Sequence, residues 1–110
     1  MELPVETSRV FVRPKWRRFS RRVLQARQIG DTVLVIFDYM EFPIGRPAAN
    51  HVAFDRKQQQ VWVAQNVDEY GADSYLNFIE EEPLRVSNFS GYVCDLDPST
   101  GRVVNMVPRK

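Results

Sequence analysis

The chain contains one histidine, His51, and one cysteine, Cys94. An imidazole base beside a thiol is the minimum equipment of a Cys–His nucleophilic site. The surroundings of Cys94 argue for another role, because a cysteine between Val93 and Asp95 in a strand-like run behaves as a small buried hydrophobe. Ser90 precedes Gly91 in Asn88-Phe89-Ser90-Gly91-Tyr92, yet Asn88 stands where a nucleophile elbow requires glycine. With a single His, a single Cys and neither CxxC nor HxxxH spacing, no ligand set for zinc can be assembled from these two residue types. Glu80, Glu81 and Glu82 are consecutive, which suits the charged end of a strand that resists edge pairing better than an acid/base pair. There is no glycine-rich phosphate loop of either common kind. The reading is a non-enzymatic protein with no catalytic residues, no metal and no cofactor.

Binding chemistry is better represented. Lys15-Trp16-Arg17-Arg18-Phe19-Ser20-Arg21-Arg22 interleaves five cations with two aromatic rings. Such a segment can contact phosphates and stack on bases, or lie on an acidic protein surface. It can also be a cover, with Trp16 and Phe19 packed on a sheet and the arginines in water or paired with Glu80, Glu81 and Glu82. The net charge of +1 conceals this segment: residues 1–30 hold eight bases and two acids, +6, and the remainder carries −5. From Met40 to Ala49, Pro43, Gly45 and Pro47 interrupt any ladder, while Phe42 and Ile44 are apolar. A proline-stiffened apolar loop loses little entropy on docking. An aromatic among Trp62, Tyr75, Phe78, Phe89 and Tyr92 that stands exposed beside this loop would mark a binding rim.

These residues need a scaffold. A chain of 110 residues supports one core, so residues 1–110 are expected as a single domain. One cysteine excludes an internal disulfide, and Val33 to Phe37, the longest apolar run, is far too short to span a membrane. Without a charged-then-apolar leader the expected location is cytoplasmic. Residues 1–8 read as a flexible terminus, 9–28 as the basic segment and 29–107 as a β-meander body. Arg9 to Arg13 alternates and stops at Pro14, as a short edge strand does. Trp16, Phe19, Val23 and Ala26 fall at helical spacing, but Val23 to Ile29 also reads as the first arm of a hairpin that turns at Gly30-Asp31 into Thr32 to Tyr39, a buried central strand. Further strands are expected at Asn50 to Asp55, Gln60 to Gln65, Ser74 to Ile79, Leu84 to Asn88, Tyr92 to Leu96 and Arg102 to Val107. Asn66 to Asp73, with Gly71, is expected as a loop. The fold class is all-β: an antiparallel meander or small sandwich of about eight strands in sequential hairpins, with one N-terminal helix as the open alternative.

Phe54-Asp55 and Leu96-Asp97 each precede a polar turn and a β-branched strand, about 42 residues apart, the length of one propeller blade. An Asp at that position can accept a hydrogen bond from the N–H about two residues on and close the turn. Gln59 stands where the second copy has Gly101, so the first turn should differ in type. Together with Asn50-His51-Val52-Ala53, Asp73-Ser74-Tyr75-Leu76 and Asn88-Phe89-Ser90-Gly91-Tyr92, these motifs resemble small uncharacterised bacterial β-meander proteins and isolated blades of quinoprotein-type propellers. The resemblance implies antiparallel hairpins and brings no functional residue with it.

The functional expectation is a small cytoplasmic protein that binds a protein partner or its own copy. Its surface would comprise Lys15, Trp16, Arg17, Arg18, Phe19, Arg21 and Arg22 together with Phe42 and Ile44. The alternative partner is nucleic acid, its phosphates neutralised by Arg17, Arg18, Arg21 and Arg22.

Overall fold

Strand-forming alternation recurs along the chain, and turns separate the runs at Gly30, Asp55 and Asp97. In the computed structural model, which describes residues 1–67 and 73–109, these runs are strands. They are β1 (Val5–Glu6), β2 (Arg9–Val12), β3 (Lys15–Arg18), β4 (Val23–Ile29), β5 (Thr32–Phe37), β6 (His51–Phe54), β7 (Gln60–Val63), β8 (Tyr75–Glu80), β9 (Leu84–Asn88), β10 (Tyr92–Leu96) and β11 (Val103–Pro108). They form three antiparallel sheets in the orders β1-β2-β3, β4-β5-β6-β7 and β11-β10-β9-β8. The fold is therefore all-β and built from sequential hairpins, with eleven strands among the described residues where about eight were expected.

The sheets stack in three layers. Along β5, Leu34 and Ile36 join Ala53, Trp62 and Ala64 in a core shared with Tyr75, Phe78, Leu84, Val86, Cys94 and Leu96 of the third sheet. Val33, Val35 and Phe37 point the other way, into a second core with Val10, Val12 and Phe19. Burial on both faces is why Val33 to Phe37 is continuously apolar, as in any sheet covered on both sides.

The basic segment is extended, so the helical alternative is excluded. Its helical spacing is coincidental: Trp16 stands across β2–β3 from Phe11, whereas Phe19, Val23 and Ala26 enter the second core. Arg9 to Arg13 is not at an edge, because β2 pairs with both β1 and β3. Residues 1–8, expected as a loose terminus, lie along β4. The Leu3 N–H donates to the Ala26 carbonyl (3.0 Å), the Gln28 N–H donates to the Met1 carbonyl (2.8 Å), and the Leu3 side chain is buried. Leu3 and, less deeply, Val5 supply the anchor between Glu2 and Glu6. The expected loop from Asn66 to Asp73 falls largely on residues 68–72, with Asp68, Glu69 and Gly71, outside the described residues.

The two larger sheets end in related hairpins. Asp55 Oδ1 accepts from the N–H groups of Lys57 (2.8 Å) and Gln59 (2.9 Å), and Asp97 Oδ1 accepts from the N–H of Ser99 (2.9 Å). The register shifts between Ala53 and Phe54 in one hairpin and between Asp95 and Leu96 in the other. The turns differ in type: the Asp55 N–H donates to the Gln59 carbonyl, whereas the Asp97 N–H donates one residue further along its turn, to Arg102.

Candidate functional site

After β5 the chain makes one 3-10 turn, Tyr39–Glu41, capped by Asp38, whose Oδ1 accepts from the Met40 N–H (2.9 Å). Prolines and Gly45 then keep the backbone out of any ladder until Ala48, whose N–H donates to the Asp73 carbonyl (2.7 Å). Asn50 fastens the loop's return. Its Nδ2 donates to the carbonyls of Phe37 (2.9 Å) and Tyr75 (2.8 Å), and its Oδ1 accepts from the Tyr75 N–H (2.9 Å), so one buried amide ties the second sheet to the third. On the facing side Asn88 Oδ1 accepts from the Tyr92 N–H (2.9 Å), shaping the turn that presents Phe89.

Between loop and turn lies a cleft of about 270 Å³, walled mainly by Tyr39, Phe42, Pro43, Ile44, Arg46 and Phe89. Phe89 is 58% exposed and packs 6.0 Å from the Tyr39 ring, while Ile44 is fully exposed. Asp73 also lines the cleft, but its carboxylate serves the scaffold. It accepts from the Ser90 hydroxyl (2.7 Å) and from the N–H groups of Ser74 (3.0 Å) and Val67 (3.2 Å). Arg46 forms part of the wall, the Arg21 guanidinium lies 4.4 Å from the Phe42 ring centroid, and the Glu41 carboxylate accepts from the Arg22 main-chain N–H (2.9 Å) in the adjoining groove. Among the described residues no carboxylate pairs with the side chains of Arg21, Arg22 or Arg46.

The expected surface is thus divided. Phe42 and Ile44 line the cleft, and Arg21 touches it through the Phe42 ring while lining, with Arg22, the neighbouring groove of Thr7, Ser8, Ser20 and Glu41. Lys15, Trp16, Arg17 and Arg18 belong to β3, in the opposite outer layer, where Trp16 meets Phe11 edge-on at 5.4 Å and Arg9 covers its ring at 4.6 Å. Phe19 belongs to the core, 4.9 Å from Phe54 and 6.0 Å from Phe37. The acid run serves other partners: Glu81 meets the N-terminal amine (2.5 Å) and Arg27 (3.2 Å), which hold its carboxyl below the ordinary range, and Glu80 meets Arg85 (2.7 Å). Tyr39, Met40 and Arg46 were not singled out by sequence. Asn50, Asp73 and Asn88 position the cleft. Their one signal was that each polar residue opens or closes a strand within a motif already noted.

The Cys–His reading does not survive the geometry. His51 is caged by Trp62 (5.4 Å), Tyr75 (5.4 Å) and Phe78 (5.2 Å), and neither ring nitrogen has a hydrogen-bond partner. Burial drives its pKa down to about 3 and pushes the Cys94 thiol up to about 11. At neutral pH both are uncharged and sealed from solvent. Ser90 is engaged with Asp73. Among the described residues no three of His, Cys, Asp and Glu gather as a metal-ligating group, and no helix is long and apolar enough to cross a membrane.

A family model described as a domain of unknown function (DUF7957) matches residues 3–107. No curated protein and no solved structure matches the chain. The likeness to propeller blades has no counterpart in these comparisons.

Proposed function

The chain belongs to the DUF7957 family, and we propose that it is a cytoplasmic, non-enzymatic binding protein whose cleft receives an extended protein segment carrying an apolar anchor flanked by acidic residues. One observation carries the reading: Phe89 is exposed across from Phe42, Pro43 and Ile44, with Arg21 stacked on Phe42. Concave apolar walls with a few polar groups at the margin are the usual form of a ligand site, and exposed rings supply the anchors of most interfaces. The buried amide of Asn50 and the carboxylate of Asp73 hold both walls, so docking orders little that is not already ordered. The charge of Arg21 and Arg46 selects an acidic flank.

The test is amide chemical-shift mapping with two synthetic peptides that share a Leu-Phe centre, one flanked by Asp and Glu and the other by Lys. The acidic peptide should shift residues 39–48 and Phe89, and Phe89→Ala should weaken it about tenfold, roughly 1.4 kcal/mol. Equal binding of the basic peptide, or shifts confined to β3, would remove the proposal.

A nucleic-acid partner is less well supported. Stacking requires free aromatic faces, and Arg9 already occupies one face of Trp16 while Phe19 is buried. Retention of an oligonucleotide at about 50 mM salt, falling steeply as salt rises, would reverse that ranking.

A further inference from the structure

The molecule has a further concavity, mainly polar where the cleft is mainly apolar. A notch of about 150 Å³ is lined by Arg13, Arg17, Arg56 and Asp31 over Val12 and Val33. Three separate hairpins supply its walls: Arg13 comes from the β2–β3 turn, Arg17 from β3, Asp31 from the β4–β5 turn and Arg56 from the β6–β7 turn. Arg17 stands opposite Val10 in the register of β2 and β3, so it leaves the sheet on the face that Val10 and Val12 bury. Arg17 is partly buried as a residue while its guanidinium keeps contact with solvent, and Arg13 and Arg56 stand exposed beside it. Among the described residues the side chains of Arg17 and Arg13 have no hydrogen-bond or ion-pair partner, and that of Arg56 has one distant carboxylate, Asp31 at 3.9 Å.

Three guanidiniums against one carboxylate leave the notch with a surplus of two positive charges. Like charges gathered at one notch repel, and solvent at its exposed walls screens that repulsion without cancelling it. A tetrahedral oxyanion reverses that sign. Each guanidinium presents a planar fork of N–H donors matched to pairs of phosphate oxygens, and arginine is the residue best suited to that recognition. We propose that this notch is a binding site for a phosphate-type oxyanion, inorganic phosphate or the phosphate of a small monoester, held principally by Arg13 and Arg17 with Arg56 as the third donor.

The proposal is independent of the cleft, since no residue lines both cavities. Inorganic phosphate and phosphoserine should be titrated in parallel against sodium chloride of matched ionic strength, with the Nε–H signals of the arginines as readout. Saturable shifts of Arg13 and Arg17 in the millimolar range or tighter are expected. Arg17→Gln should weaken binding about tenfold or more, and Arg56→Gln less, because Asp31 already competes for that side chain. Should Arg17→Gln fold poorly, Arg13→Gln, at an exposed turn, gives the same reading without disturbing the core. Phe89→Ala should leave the titration unchanged. Tighter binding of phosphoserine than of phosphate would assign the site to monoesters, and the reverse order would assign it to the free ion. The site would be overturned by shifts that sodium chloride reproduces. Equal thermal stabilisation of wild type and Arg13→Gln by phosphate would also overturn it, since that is the general exclusion of kosmotropic salt from protein surface. Displacement of phosphate by an oligonucleotide that binds many-fold tighter would replace it with a nucleic-acid surface.

Discussion

The sheets β4–β7 and β8–β11 are built to one plan and placed in different surroundings. Both are sequential antiparallel meanders, and both end in a register shift, an Asp-closed turn and a β-branched strand. They differ in their second strands. In β5 every residue from Val33 to Phe37 is buried, whereas in β9 Leu84 and Val86 point inward and Arg85 points out, bonded to Asp95 (2.7 Å) and Glu80 (2.7 Å). The outer sheet also leaves Ile79, Val104, Met106 and Val107 exposed. The cause is the N-terminal sheet, which covers one meander and not the other. The basic segment is therefore part architecture: Val10, Val12 and Phe19 form the lid of the central layer, and the cations lie around that lid.

The sharpest way to break this contrast is to remove the lid. Phe19→Ala should cost about 3–5 kcal/mol in urea unfolding, while Val104→Ala, at a side chain 66% exposed, should stay within about 0.5 kcal/mol. A comparable loss at Val104 would mean that the outer sheet is covered as well, by another molecule. The next largest effect concerns one glycine turn from each meander, Gly101 between β10 and β11 and Gly30 between β4 and β5. A Cβ at Gly101 would meet Trp62 Cε3 at 2.4 Å in a backbone with φ +76°, so Gly101→Ala should cost about 2–4 kcal/mol. Gly30→Ala, with φ +60° and open space around it, should cost only the conformational part, about 1 kcal/mol. Equal losses would show that the closeness of Trp62 is immaterial.

The third effect reads the seam between the meanders. His51 has a folded pKa of about 3 against about 6.5 when unfolded, so between those values the unfolded chain binds a proton that the folded chain refuses. Its contribution is complete above pH 6.5 and falls by about 1.4 kcal/mol per unit below it, roughly 2 kcal/mol by pH 5. Denaturant midpoints measured across that range should show the slope in the wild type and lose it in His51→Leu. A flat wild-type profile would mean that the seam admits water.

The strands were legible because period-two patterns and turn residues are local, and β5 was legible because a five-residue apolar run has few other uses. The third layer was legible in part: the alternation of Arg9 to Arg13 marks a strand and the cover reading puts Phe19 on a sheet, but nothing local shows that Val10, Val12 and Phe19 close over the far face of β5. At the cleft, Phe42 and Ile44 announced themselves through an apolar loop between prolines, and Phe89 was recognisable as a rim residue only once its exposure was known. Asn50, Asp73 and Asn88 look in sequence like ordinary strand-end polar residues. Their role is tertiary, since each satisfies backbone groups of a neighbouring segment. The notch was hidden for the same reason: Arg13, Arg17 and Arg56 meet only when three hairpins stack.

Strand order also has a consequence during synthesis. Every strand that shares a ladder with another is its neighbour in sequence, so each hairpin can close as soon as its second arm emerges. Stacking has no such freedom. Once Ala64 has been made, the first two layers can assemble, but the inner face formed by Leu34, Ile36, Ala53 and Trp62 has no cover until β8–β11 follow. At about 5–20 residues per second that greasy face waits for several seconds on a nascent chain. The half-finished protein, not the finished one, is the species most exposed to chaperones and to aggregation.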